Sequence, residues 1–128
     1  MNTQALTRAI REYALSLGFD LVGFAPVLPP AHAEFFRHWL EQGFHGEMAY
    51  LARTVEARCD PQQVLPGAKS AVVVGLNYAP AVSPVTDDPT RGVFARYALG
   101  DDYHEVMEAK LRQLLEFLRH EYPPCRAK

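Results

Sequence analysis

Ser70-Ala71-Val72-Val73-Val74-Gly75-Leu76 is the stretch on which the fold class turns. It is rich in β-branched residues and has no apolar/polar alternation. Such a run predicts a strand covered on both faces, because the branched side chains suit a pleated surface and neither face is given polar residues. The run ends at Asn77-Tyr78. Polar residues just past the end of a buried strand are where α/β folds commonly meet ligands, a rule framed for parallel sheets.

Working outward, Phe19 to Ala25 is a second short apolar run, closed by Pro26, and predicts another buried strand. Before it, Leu6, Ala9, Ile10, Tyr13, Ala14 and Leu17 recur at helical spacing and predict a helix over Thr3–Leu17, with Gly18 just past its end. A second helix is expected over Ala31–Gln42, with Phe35, Trp39 and Leu40 inward, Glu34, Arg37 and Glu41 outward, and Gly43 as its stop. Glu47 to Arg53 predicts a short helix, and Asp60-Pro61-Gln62-Gln63 a capped turn that stops at Pro66-Gly67. The strongest helix signal is Asp101–Glu121, with Asp101 as N-cap. Its stripe is Tyr103, Val106, Met107, Leu111, Leu114, Leu115 and Leu118, and Lys110 lies among the polar faces. Helices alternating with strands predict an α/β (α+β) architecture, a mixed sheet flanked by helices.

Length and composition bound the function. At 128 residues the chain is expected to form a single domain, and its 48% apolar residues are enough for a core. A net charge of −2 carries no basic stripe of the kind that marks a nucleic-acid surface, so an RNA partner would need basic surface from elsewhere. Cys59 and Cys125 are isolated, which argues against an all-cysteine zinc or iron–sulfur site and against a disulfide framework. No metal site is assigned. No secretory signal or membrane-crossing run is present, and the expected location is the cytoplasm. Phosphate loops, nucleophile elbows and His-Glu-x-x-His motifs are missing, so the common hydrolase and nucleotidase readings fall away.

The chemistry-bearing residues gather at Val93 to His104, which holds an arginine, two tyrosines, two aspartates and a histidine between a Pro-rich connection over Ala79 to Gly92 and the long helix. Free N–H groups and the helix dipole favour acceptors at such an entry. Asn77, Tyr78, Arg96, Tyr97, Asp102, Tyr103 and His104 are the candidate cofactor- or substrate-binding residues. Arg96 has a planar fork suited to a phosphate or an amide oxygen, and the tyrosines can stack or donate. The competing reading is structural, with a capped helix entry and Tyr103 packed into the core. His45, between Gly43 and Gly46, is a turn residue by the same weighing.

Four segments carry a resemblance: Gly43-Phe44-His45-Gly46-Glu47-Met48-Ala49-Tyr50-Leu51, Leu65-Pro66-Gly67-Ala68-Lys69-Ser70, Gly75-Leu76-Asn77-Tyr78-Ala79-Pro80, and Ala95-Arg96-Tyr97-Ala98-Leu99-Gly100-Asp101-Asp102-Tyr103-His104. In this order they resemble the N-terminal part of the epoxyqueuosine reductases, cobalamin-dependent iron–sulfur enzymes of queuosine biosynthesis. The resemblance spans Leu6 to about Glu121. It implies a nitroreductase-like cobalamin-binding domain, here residues 1–128 and incomplete at the C-terminus, without the later ferredoxin-like domain that holds two 4Fe-4S clusters. It implies an oxidoreductase of tRNA processing that reduces an epoxide on the modified wobble base to the alkene. The family's proposed general acid would lie beyond Lys128, so no catalytic residue is assigned and the fragment alone is expected to be inactive. Neither His45 nor His104 is singled out as a cobalt ligand. The Pro123-Pro124-Cys125-Arg126-Ala127-Lys128 tail fits a cut or an altered frame. A monomer acting on tRNA, away from membranes, is the expected state. A flavin nitroreductase-like enzyme and a non-catalytic binding module stay open as alternatives, and an absorbance spectrum separates flavin from cobalamin.

Overall fold

The computed structural model describes residues 2–78 and 88–128. Helix α1 spans Thr3–Ser16, strand β1 Leu21–Pro26, helix α2 Ala33–Glu41, the short helices α3 and α4 Ala49–Arg53 and Val55–Cys59, strand β2 Ser70–Gly75, and helix α5 Tyr103–Glu121. Single 3₁₀ turns occupy Pro61–Gln63 and Arg96–Leu99. The two strands pair antiparallel, with Asp20 N–H donating to the Gly75 carbonyl at 2.9 Å and Val27 N–H donating to that of Lys69 at 3.1 Å. The mixed α/β character read from the sequence is present. Among the described residues the sheet has two strands. The expectation for the Ala79 to Gly92 connection lies largely outside them, since 79–87 are not described.

By its contacts the chain forms two compact units, Met1–Gly23 with Val73–Cys125, and Phe24–Val72 with Arg126–Lys128. In the first, α1 packs on α5. Asn2 caps α1 by accepting from Ala5 N–H at 2.8 Å, and Ile10 and Ala14 are buried, as their spacing predicts. Tyr13 stacks on Phe117 with ring centroids 4.1 Å apart, and Leu114 lies one turn earlier on the same face of α5. The helix α1 ends at Ser16, Leu17 is its C-cap, and Gly18 takes φ +86°, a left-handed conformation that closes the helix without a Cβ penalty.

Several expected positions are corrected here. Lys110 was placed on the polar side of α5. Its stem is half-buried, its ammonium donates to the Leu17 carbonyl, and it sits 5.9 Å over the Phe19 ring. A long side chain can bury its stem and bring its charge to the orphan carbonyls at a helix end, so residue type alone misplaced it. Tyr103 and Leu111, expected in the stripe, are exposed, and Phe117 takes part instead. Strand β2 is not covered on both faces among the described residues, because Val73 is 56% exposed and β2 pairs only with β1. The β-branched run reports strand propensity, and what lies over its faces is a tertiary matter.

In the second unit α2 begins two residues later than predicted, and Phe36 rather than Phe35 shares the inward face with Trp39 and Leu40, leaving Phe35 68% exposed. Phe36 and Trp39 stack at 6.1 Å. Arg37, expected outward, is half-buried and makes a two-pronged pair with Glu56 of α4 at 2.6 and 3.1 Å. That pair holds the Glu56 carboxyl below the ordinary glutamate range. Asp60 caps the 3₁₀ turn by accepting from Gln62 N–H at 3.0 Å. Gly43 and Gly46 both have positive φ, which fits the tight turn read around His45.

Candidate functional site

The candidate residues all belong to the first unit and all are exposed. Strand β2 ends at Gly75, and Asn77 and Tyr78 follow as extended chain. The 3₁₀ turn Arg96–Leu99 then brings Tyr97 to Tyr78, with the rings edge-on at 6.5 Å and an interplanar angle of 86°. This contact joins the strand end to the Val93–His104 segment, and edge-to-face geometry is a favoured aromatic arrangement. Arg96 opens the same turn. It is exposed, and among the described residues no hydrogen bond or ion pair ties it to Asn77 or Tyr78, so the structure does not join Arg96 to the strand end.

A second cluster forms at the start of α5. Asp102, not Asp101, is the N-cap, with its Oδ1 accepting from the His104 backbone N–H at 2.9 Å. The two aspartates are chemically equivalent caps. The helix begins at Tyr103, and only the residue immediately before it meets the free amides. The same Oδ1 lies 2.9 Å from His104 Nδ1, and the Tyr103 and His104 rings stack at 4.0 Å. Asp102 therefore fixes the imidazole by one nitrogen and leaves Nε2 to face outward chemistry. Among the described residues no ring contact or side-chain hydrogen bond joins this cluster to the Tyr78–Tyr97 pair.

The His104 backbone amide first, and its ring second, hold the Asp102 carboxyl below the ordinary aspartate range. A group whose pKa falls on folding stabilises the fold above its unfolded value, about 3.9 for aspartate, and that contribution is lost as pH drops through the lower folded value. The Asp102 side-chain carboxyl resonance is expected to titrate with a midpoint below about 3.9. A midpoint at or above that value would mean that the cap does not form in solution.

One neighbour was not legible in the sequence. Asp20, inside the run read as an apolar strand, is exposed, and its Oδ2 accepts from Asn77 N–H at 2.6 Å. The signal was present as a lone carboxylate at the head of an apolar run, but its partner is 57 residues away. His45, in the other unit, lies against Trp39 at 6.2 Å, and its Nδ1 is buried with no partner. A shallow hollow lined by Thr3, Gln4, Thr7, Arg8 and Arg11 lies on α1 alone, and one helix face cannot enclose a ligand. Among the described residues no group of three or more His, Cys, Asp or Glu side chains is placed to hold a metal ion, and no helix is long and apolar enough to cross a membrane.

The family model described as "Epoxyqueuosine reductase QueG, DUF1730" matches residues 58–128, more than half of the chain and the part that carries every candidate residue. The chain belongs to the epoxyqueuosine reductase family. It is 35% identical over 124 residues to the epoxyqueuosine reductase of Vibrio cholerae, covering 94% of this chain and 34% of that protein. It is 36% identical over 119 residues to that of Salmonella typhimurium, covering 91% and 31%. Among solved structures it resembles an epoxyqueuosine reductase crystallised with an epoxyqueuosine-modified tRNA-Tyr stem loop, at a TM-score of 0.76 and 31% identity, over 95% of this chain and 33% of that one. A selenomethionine-labelled epoxyqueuosine reductase matches at 0.72 and 31% identity, over 94% and 33%. The chain thus spans about a third of the length of the curated epoxyqueuosine reductases it matches.

Proposed function

We propose that this chain is the N-terminal portion of an epoxyqueuosine reductase and supplies part of the surface that receives the modified anticodon of tRNA and its cofactor. The observation that carries the reading is the likeness, over 95% of the chain, to a reductase solved with an epoxyqueuosine-modified stem loop. The proposed reaction opens the epoxide and expels its oxygen as water while the ring gains a C=C bond, which requires two electrons and two protons.

The finer fold assignment is a nitroreductase-like cobalamin-binding domain, with residues 1–128 as one N-terminal portion of it. The donor set fits a corrin, whose rim offers amide and phosphate oxygens. Arg96 can grip such an oxygen with its fork, Tyr78, Tyr97 and Tyr103 offer hydroxyls and flat faces, and Asn77 offers an amide. Cobalamin, when bound, supplies the reducing centre. The residues of this chain bind and orient: the edge-on Tyr78–Tyr97 pair offers a ring face and a ring edge at right angles to it, and the Asp102-braced His104 presents one nitrogen to polar groups of the base or cofactor. Two cysteines cannot hold a 4Fe-4S cluster, so the electron supply is assigned to the remainder of the full-length protein. This chain alone does not turn over. It acts in the cytoplasm as a monomer.

The test is a titration of fluorescently labelled anticodon stem loop, with and without epoxyqueuosine, against the full-length protein. Saturable binding with preference for the modified loop is expected. Equal, weak binding to both loops that vanishes at moderate salt would reduce the surface to nonspecific phosphate attraction and overturn the reading.

A further inference from the structure

We propose that Asp20 is a positioning residue for the ligand-facing edge of the first unit, acting through Asn77 on Tyr78. The inference rests on the reading that Tyr78 and Tyr97 face the ligand.

The backbone ladder between the strands reaches the bond from Asp20 N–H to the Gly75 carbonyl, at 2.9 Å. Beyond it the Asp20 side chain takes over, and its Oδ2 receives the Asn77 amide at 2.6 Å. The carboxylate thereby carries the ladder past the end of β2. A charged acceptor at this distance makes a strong bond, and holding the Asn77 amide fixes the peptide plane immediately before Tyr78. Tyr78 is 68% exposed and, among the described residues, meets the Tyr97 ring edge-on, so the peptide plane before it matters to its direction. An exposed carboxylate beside a surface that receives RNA would repel phosphate, and a positioning role accounts for its presence there. The two roles predict opposite signs on removal. Losing a repulsive charge tightens RNA binding, whereas losing a brace weakens it.

The experiment compares wild type, Asp20→Ala, Asp20→Asn and Tyr78→Ala for affinity to the epoxyqueuosine stem loop. Exchange of the Asn77 amide, the contact between the Tyr78 and Tyr97 rings by NMR, and the melting curve are measured alongside. Asp20→Ala is expected to speed Asn77 exchange and weaken stem-loop binding, each by roughly tenfold, the scale of one charge-assisted hydrogen bond. The ring contact should be lost while the melting temperature falls by no more than roughly 4–8 °C, so the chain stays folded at the assay temperature. Asp20→Asn retains an acceptor oxygen and should restore binding to within about twofold of wild type. Asp20→Ala binding like wild type or tighter, while Tyr78→Ala binds weakly, overturns the role of Asp20 and leaves the site standing. Asp20→Asn as weak as Asp20→Ala overturns the brace as well. Tyr78→Ala binding like wild type overturns the site reading, and the role of Asp20 with it.

Discussion

Leu114→Ala is expected to destabilise the first unit by about 2–5 kcal/mol, the range for truncating a fully buried leucine where the surroundings collapse only in part. Leu114 is 3% exposed and lies on the face of α5 that turns toward α1, one turn before the Phe117 ring stacked on Tyr13. Ile10, Ala14 and Phe19 are the other buried apolar residues among the described residues of this unit, so little there can take over its packing. The comparison is Leu111→Ala, three residues earlier and 41% exposed. It removes the same atoms from a half-wet position and should cost under about 1 kcal/mol. Thermal and urea unfolding, followed by the near-ultraviolet signal of the tyrosines, measures both. Equal losses for the two variants would mean that α5 does not present the face described.

Arg96→Lys in the full-length protein is expected to leave folding intact and to weaken cofactor or tRNA binding by roughly 1–3 kcal/mol, the size of a lost hydrogen bond to a charged group. Folding is spared because Arg96 is exposed and, among the described residues, holds no ion pair. Lysine keeps the positive charge, so general attraction to phosphate persists and the salt dependence should change little. What is lost is the planar fork and its paired donors. Titrations of cofactor and stem loop, each at two salt concentrations, separate these terms. Wild-type affinity for both would leave the segment as a helix entry and nothing more.

Where the determinants are local, the sequence could be read. Helix α1 follows from its apolar spacing, its stop from Gly18, and β2 from consecutive valines. The placement of Asn77 and Tyr78 just past that strand was legible for the same reason. Neighbouring residues of like chemistry were not resolved. Asp101 and Asp102 cap equally well, so a shift of one residue in the helix start decides between them, and Phe35 and Phe36 fill equally well, so the packing around α2 decides which turns inward. Long-range partnerships were invisible. Lys110 meets the Leu17 carbonyl across 93 residues, and Asp20 meets Asn77 across 57. Periodicity describes one segment at a time, and these contacts exist only once two segments have packed.

The central claim is that the modified anticodon is received at the exposed edge formed by Asn77, Tyr78, Arg96, Tyr97 and the start of α5. The most direct measurement is the change in backbone amide resonances of this portion, isotope-labelled within the full-length protein, as the epoxyqueuosine stem loop is added. The largest shifts are expected at Asn77, Tyr78, Arg96 and Tyr97 and from Asp102 to His104. Shifts confined to residues 24–72, with these amides unmoved at saturation, would contradict it.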